Sequence, residues 1–200
     1  MGHGLVIFDL DGTLLASPLD FDAIRAEIGL PKDHPILEAM EHLTPSERTR
    51  AERIVDRHET EAVRASRLLP GALDLLAWLR ERGVTVALLT RNSRASVEAA
   101  AQKHGLRFDA AITREDHEPK PSPGGVLHLM ETFGAGPDET IVVGDYRFDV
   151  EAGAAAGART IAVVAEPTSW SKEATWCVAN LPAARTILEA VLDAGQALSV

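Results

Sequence analysis

The second half of the chain alternates between strand-like and helix-like segments, and this alternation limits the folds open to it. Short runs of apolar and β-branched residues at 84–89, 140–144 and 160–164 are separated by longer stretches with apolar residues at helical spacing. Gly83 and Gly105 stand where two of these helices are expected to end. Because parallel strands are joined by crossover helices, the pattern predicts an α/β fold with a parallel sheet covered on both faces.

An apolar run near the start of the chain, which is typical of a buried strand, is followed directly by charged residues. The run 5–8 is followed by Asp9 and Asp11, one residue apart. Ordinary turn chemistry accounts for Asp11 and Gly12, but it leaves Asp9 without a partner. Two carboxylates at the rim of a buried sheet repel each other and cost desolvation, so a bound cation is expected beside them.

The segment 15–69 differs from the rest of the chain because it contains no strand-like run. Apolar residues recur there at helical spacing, and prolines divide the segment into about three helices. A charge-dense stretch at 45–67 has only a thin apolar stripe, which is typical of a solvated helix. We therefore predict a small all-helical cap at 15–69, inserted after the first strand of a core formed by 1–14 and 70–200.

Composition excludes several classes of protein. The chain has 200 residues, 46% of them hydrophobic, which is enough for a folded core. An excess of 30 acidic over 20 basic residues gives a net charge of −10, so neither nucleic acid nor an anionic membrane is an expected partner. No segment has the length of a membrane span or the pattern of a secretion signal, and we expect a cytoplasmic protein, either a monomer or a homodimer. The single cysteine, Cys177, is expected to be a small core residue.

Polar side chains follow four strands of the predicted sheet at the points where the strands end. Since ligands bind at the carboxyl edge of an open parallel sheet, we expect these side chains to lie together. Taken singly, Thr90 and Lys120 have ordinary explanations, a turn cap and a solvated loop lysine, and Asp149 can be a surface cap. Taken together, the set supplies a nucleophile, a hydroxyl, a cation and metal ligands: Asp9, Asp11, Thr90, Lys120, Asp145 and Asp149.

These residue types suit phosphoryl transfer. A carboxylate can attack phosphorus and form an acyl phosphate, and Asp9 is the candidate nucleophile. Repulsion from Asp9 would help Asp11 to hold a proton, so that Asp11 can act as general acid and then as general base. Mg²⁺ prefers oxygen ligands and keeps several waters, so Asp9, Asp145 and a backbone carbonyl of the Asp11 turn would suffice to bind it. Asp149 can be either a supporting metal ligand or a hydrogen-bond acceptor that contacts the residues binding the metal.

The phosphoryl oxygens are expected to be held by charge and by hydrogen bonds. Lys120 would supply the charge and Thr90 a hydroxyl, while the backbone N–H groups of the turns at Leu10, Arg91 and Asn92 add donors. A protein of net charge −10 must draw in an anionic substrate by a local field, which the lysine and a divalent cation can supply.

Four short motifs resemble those of the haloacid dehalogenase-like hydrolase superfamily and occur in the same order. They are Asp9-Leu10-Asp11-Gly12-Thr13, Leu89-Thr90-Arg91-Asn92, Lys120-Pro121-Ser122-Pro123 and Gly144-Asp145-Tyr146-Arg147-Phe148-Asp149. The resemblance implies a Rossmann-like core with the first strand central, and a helical cap that encloses the substrate. Within the superfamily, Asp11 implies phosphoryl transfer rather than dehalogenation, and the chain is most similar to phosphoglycolate phosphatase-like members. Arg91 departs from the small or amide residue expected there, and either contacts the substrate or points to solvent.

The leading hypothesis is a Mg²⁺-dependent phosphatase that hydrolyses a small phosphorylated metabolite, such as a phosphoglycolate-like compound, through an aspartyl phosphate. An alternative is a phosphomutase of the same family, similar to β-phosphoglucomutase, in which the phosphoryl group returns to a sugar. A catalytically silent phosphate-binding module would be marked by the loss of Asp9 or Asp11, and both are present. Surface or packing roles are expected for the histidines of the insertion: His34, His42 and His58.

Overall fold

The protein is described by a computed structural model over residues 4–32 and 34–197. Its main sheet consists of β1 (Leu5–Phe8), β4 (Thr85–Leu89), β5 (Ala110–Ile112), β6 (Thr140–Gly144), β7 (Arg159–Val163) and β8 (Trp176–Val178). The six strands are parallel and lie in the order β5-β4-β1-β6-β7-β8. β1 lies inside the sheet, and Leu5 is in register with Thr85 on one side and Thr140 on the other. The predicted α/β class with a Rossmann-like parallel sheet is confirmed.

Helices cover both faces of this sheet. One face packs against α4 (Ala72–Glu81), α5 (Arg94–His104) and α8 (Leu181–Ala197), and the other against α6 (Gly124–Phe133) and α7 (Arg147–Ala155). Val6 and Phe8 of β1 enter the first layer and Leu5 and Ile7 the second, because successive residues of a strand face opposite sides. Both faces of the central strand are thus buried, which explains its uninterrupted apolar sequence.

The inserted segment forms three helices with a small apolar cluster of their own. They are α1 (Phe21–Ile28), α2 (Ile36–Met40) and α3 (Pro45–Ala65). The side chain of Asp20 accepts two N–H groups at the start of α1, and Thr44 and Glu47 form a capping box at the start of α3. The apolar cluster consists of Ile24, Ile36, Met40, Ala51 and Val55.

The predicted division of the chain at 15–69 remains a prediction. Over the described part of the chain, no helix combines the length and apolar character that a membrane span requires.

The structure differs from the sequence prediction at both ends of the insertion. Two short strands, β2 (Leu15–Ala16) and β3 (Arg67–Leu68), pair antiparallel where the chain leaves the core and returns to it. The prediction that 15–69 holds no strand was wrong for this ribbon, because two-residue strands are too short to produce a recognisable period.

The late connection also contains a strand that was not predicted. β8 is a three-residue edge strand, and Cys177 lies at its centre. Trp176 and Val178 are half-buried on one face, whereas Cys177 points to the other face and is exposed. The prediction of a core cysteine was therefore wrong.

Candidate functional site

The predicted residues meet at the carboxyl edge of the sheet around one cavity. Asp9 follows β1, Thr90 follows β4 and Asp145 follows β6, as parallel topology requires. The cavity has a volume of about 790 Å³, and its far wall is formed by the inserted helices. Leu10 is buried in the core and is not among the residues that line the cavity. The other predicted residues line the cavity: Asp9, Asp11, Thr90, Arg91, Asn92, Lys120, Asp145 and Asp149.

Lys120 joins two of the carboxylates in the interior. Its Nζ donates to Oδ1 of Asp9 at 2.5 Å and to Oδ1 of Asp149 at 2.5 Å, and its side chain is only 4% exposed. Oδ2 of Asp149 accepts the N–H of Tyr146 at 3.1 Å. This contact exists because α7 begins at Arg147, which places Asp149 in its first turn. Lys120 is thus not a solvated loop lysine, and both oxygens of Asp149 already have donors.

Three carboxylates form an acidic group that fits a metal ion. One oxygen each of Asp9, Asp145 and Asp149 lies within 4.8 Å of the others. The hydroxyl of Thr13 donates to Oδ1 of Asp145 at 3.0 Å and fixes that carboxylate. Gly12 has a φ of +84°, and any side chain on it would collide with Asp145. The glycine after Asp11 is therefore required both by the turn and by the close approach of the acidic group.

The electrostatics of this group favour a bound cation. Burial raises the pKa of Asp9 well above its usual value, with the charges of Asp149 and Asp145 adding to the effect and that of Lys120 opposing it. Burial and the charge of Asp149 raise the pKa of Asp145 to about 6. The two carboxylates that contact Lys120 raise its pKa despite burial, so it stays charged. One ammonium thus faces three carboxylates, and the remaining negative charge suits a divalent cation with oxygen ligands.

Mg²⁺ is expected to stabilise the protein, and more strongly at about pH 7.5 than at about pH 5, because protons compete with the metal for carboxylates with raised pKa values. The midpoint of thermal unfolding, measured with Mg²⁺ and with EDTA at each pH, checks this. Asp145→Asn should lose the Mg²⁺-dependent increase, and the exposed Asp138→Asn should keep it. An equal increase in the two variants would contradict a metal site at Asp145.

Asp11 is held by the loop after β4. Asn92 donates its side-chain amide to Oδ2 of Asp11, and the backbone N–H of Asn92 donates to the Thr90 hydroxyl oxygen at 3.2 Å. The Asp11 side chain is therefore separate from the acidic group that Asp9, Asp145 and Asp149 form. A metal role for Asp11 through its backbone carbonyl stays a prediction. The arrangement gives the two carboxylates of the opening motif different surroundings, one beside Lys120 and the other beside Asn92.

Arg91 connects the core to the insertion, which neither sequence alternative anticipated. Its guanidinium donates to both oxygens of Glu38 on α2, at 2.9 and 2.7 Å, and also to the carbonyl oxygen of Lys120. It lies over the ring of Phe148, 4.9 Å from the centroid. A role in phosphate binding remains a prediction for Arg91, but its side chain is engaged by these groups and does not point to solvent.

A second connection is made by Glu59 of α3. Its side chain is buried and accepts the backbone N–H and the hydroxyl of Ser93, at 3.1 and 2.7 Å, as well as a guanidinium N–H of Arg114. Burial raises the pKa of Glu59, although Arg114 and Ser93 oppose the shift. The prediction of a solvated helix at 45–67 was wrong for the face of α3 that carries Glu59. Glu59 shares the helical spacing of Val55 and Ala62, which was the available signal that it faces inward.

The fold and the site together define an α/β protein with carboxylates at the carboxyl edge of a parallel sheet and a helical insertion above them. The chain belongs to the haloacid dehalogenase-like hydrolase family, whose model matches residues 16–163. This match confirms the resemblance seen in the motifs. It begins after Asp9 and Asp11, so the interpretation of that pair depends on the geometry described above.

Individual relatives agree with this assignment. An uncharacterized hydrolase of Saccharomyces cerevisiae is 35% identical over 163 residues, which cover 78% of this chain and 75% of the relative. Phosphoglycolate phosphatase 1 of Pseudomonas aeruginosa is 32% identical over 187 residues, covering 80% of this chain and 68% of the relative. The crystal structure of a predicted phosphoglycolate phosphatase from Haemophilus somnus 129pt superposes with a TM-score of 0.72 at 23% identity, covering 94% of this chain and 97% of that one. This last similarity shows the fold alone.

Proposed function

We propose that the protein is a Mg²⁺-dependent phosphomonoesterase that hydrolyses a small phosphorylated metabolite through an aspartyl phosphate on Asp9. The observation that carries the proposal is the pairing of Asp9 with buried Lys120 in a cavity that also holds Asp11 and two further carboxylates. A nucleophile, a positive charge and a separate acid are the groups that a two-step phosphoryl transfer needs.

The proposed reaction has two displacements at phosphorus. In the first, a carboxylate oxygen of Asp9 bonds to phosphorus, the ester P–O bond breaks, and the leaving oxygen takes a proton from Asp11. In the second, Asp11 removes a proton from water, whose oxygen attacks the same phosphorus. The bond between Asp9 and phosphorus then breaks, which releases inorganic phosphate and restores the Asp9 carboxylate.

The remaining residues position and neutralise the phosphoryl group. Lys120 offers an ammonium beside Asp9, and Thr90 offers a hydroxyl at the neighbouring strand end. Asp9 and Asp145 would hold Mg²⁺, and Asp149, whose oxygens are bound by Lys120 and Tyr146, fits the supporting role. When bound, Mg²⁺ supplies positive charge to the phosphoryl oxygens and to the carboxylates around them.

Phosphate release from a panel of phosphomonoesters tests the proposal directly. With Mg²⁺ we expect stoichiometric release of inorganic phosphate. Borohydride reduces an acyl phosphate to an alcohol, so mass spectrometry after rapid quenching with borohydride should find homoserine in place of Asp9. Interconversion of sugar phosphate isomers without net phosphate release would instead support the phosphomutase alternative. Binding of phosphate esters without either reaction would support a silent binding module.

We further propose that 15–69 acts as a cap over the cavity, held to the core through Glu38 and Arg91. Glu38→Gln should weaken this contact by about 1 kcal/mol, as expected for a partly exposed ion pair, and speed amide exchange in α2 about fivefold. Hydrogen–deuterium exchange followed by mass spectrometry measures this change. Glu41→Gln, an exposed position just after the same helix, is the control and should not alter exchange. Equal exchange in the two variants would contradict the proposed contact.

A further inference from the structure

The cavity is much larger than a two-carbon phosphate ester requires, and the part beyond the carboxylates is mainly apolar. Its volume of about 790 Å³ is in the range of sites that enclose ligands of drug size, roughly 300–1,000 Å³. Apolar side chains from both the inserted helices and the core line this part: Pro18, Leu19, Phe21, Leu37, Tyr146 and Phe148. Such a wall binds ligands by removing apolar surface from water.

Two exposed aromatic rings line the cavity, one from the insertion and one from the core. Four large apolar or aromatic side chains are exposed in the described residues: Phe21, Leu73, Leu127 and Tyr146. Phe21 on α1 is 52% exposed and Tyr146 in the core is 50% exposed, and both line the cavity. The Tyr146 ring is itself held edge-on by Phe148, with 5.0 Å between centroids. Trp170, at 6.1 Å between centroids, also contacts the Tyr146 ring. The exposed parts of the Phe21 and Tyr146 side chains offer aromatic surface to a bound group.

Two of the three arginines that line the cavity in the described part of the chain, Arg25 and Arg91, are already paired. Arg25 donates to Asp22 at 2.9 Å and to the carbonyl oxygen of His34 at 2.8 Å, and both oxygens of Glu38 are bound to Arg91. Arg147 is the third, and it has no ion pair among the described residues. It is exposed and lies over the rings of Phe148 and Tyr146, 5.0 and 5.9 Å from their centroids.

The insertion also brings further negative charge to this wall. Asp20, the residue before α1, lines the cavity and has no ion pair among the described residues, whereas Asp22 is paired with Arg25. A second anionic group on the substrate would therefore meet the Asp20 carboxylate on the cap side, whereas an uncharged apolar group would not be repelled there.

We infer that the site selects phosphomonoesters whose leaving group is bulky, uncharged and partly apolar or aromatic, rather than a small carboxylic acid such as glycolate. This inference rests on the proposed function for the reacting end of the substrate. The apolar part of the leaving group contacts Phe21 and Tyr146, while the phosphoryl group lies against Lys120 and the acidic group. Selectivity then comes from burial of the leaving group beneath the cap.

Turnover by the intact protein with Mg²⁺ should rank three esters with comparable alkyl leaving groups. We expect kcat/KM for 2-phenylethyl phosphate to exceed that for ethyl phosphate, and that for 2-phosphoglycolate, by about tenfold or more. Phe21→Ala should lower the ratio of phenylethyl to ethyl phosphate about tenfold. Leu127→Ala removes a similarly exposed side chain outside the cavity and should leave the ratio unchanged. A preference for 2-phosphoglycolate would overturn the inference while the phosphatase assignment stands.

Binding of non-hydrolysable isosteres separates this inference from the proposed function. In calorimetric titrations with Mg²⁺, 3-phenylpropylphosphonate should bind about tenfold more tightly than propylphosphonate or 3-phosphonopropionate. That result without turnover of any ester would refute the phosphatase proposal but support the specificity of the cavity. Tighter binding of 3-phosphonopropionate, lost in Arg147→Ala, would assign Arg147 as a carboxylate partner and overturn the inference.

Discussion

Replacement of Asp9 by Asn is expected to lower kcat for phosphate release by about 10⁴-fold or more, the scale of loss seen when a nucleophile is removed. An amide oxygen cannot form the acyl phosphate, because it is a far weaker nucleophile than a carboxylate. The amide can still accept the hydrogen bond that Lys120 donates to Oδ1, and the backbone bond from Asp9 to Val143 is unaffected. The variant should therefore fold normally and fail at the chemical step.

The control is Asp74→Asn, an exposed position in the first turn of α4 that makes the same chemical change outside the site. Circular dichroism and thermal unfolding show whether each variant is folded, and phosphate release at saturating substrate gives kcat. Asp9→Asn should not unfold at a lower temperature than the wild type, since it removes a carboxylate whose pKa burial raises. Activity within tenfold of the wild type would rule out Asp9 as the nucleophile.

The fold and the ends of its strands could be predicted because their signals are local. A buried parallel strand is a short run of apolar residues, and parallel topology places every strand end at one edge. Asp9, Thr90 and Asp145 are adjacent in space for this reason, although they are far apart in the chain. The burial of Lys120 could not be predicted in the same way, because this residue lies in the loop after the short strand β5. Only its 2.5 Å contacts show that it is buried between carboxylates.

The contacts between insertion and core could not be predicted, because they join residues that share no local pattern. Glu38 and Arg91 are 53 positions apart, and Glu59 reaches Ser93 across 34. Charged residues on a helix usually face solvent, so the charge-dense sequence of α3 concealed a buried Glu59. Arg91 departs from the residue expected in its motif, and its ion-pair partner, Glu38, lies on one of the inserted helices.

Lys120 links the stability of the core to the chemistry of the site. A buried lysine usually costs free energy, but here it offsets part of the repulsion among three carboxylates. In the proposed reaction the same ammonium would meet a phosphoryl group that enters beside Asp9, and it would limit the change in local charge when substrate and metal bind. Lys120 is the one positive side chain that contacts this acidic group among the described residues.

Lys120→Met is accordingly expected to remove activity and to lower the free energy of unfolding by about 3–5 kcal/mol at about pH 7.5 in EDTA. Methionine fills similar space but leaves Asp9 and Asp149 buried without their cation. Urea denaturation measures the loss, and Lys172→Met, at an exposed lysine, is the control that should match the wild type. Removing one of the unpaired charges as well, in Lys120→Met with Asp149→Asn, should restore part of the lost stability.

The pH dependence identifies the cause of this loss. Asp9 and Asp145 have pKa values raised above those of an unfolded chain, so the folded state binds more protons than the unfolded state as the pH falls towards those values. Their contribution to stability therefore increases on acidification and is lost as the pH rises through the folded pKa, about 6 for Asp145. Without Lys120 this dependence should steepen, and the deficit of Lys120→Met should shrink between about pH 7.5 and about pH 5. A deficit of the same size at both pH values would show that lost packing, and not unpaired charge, destabilises the variant.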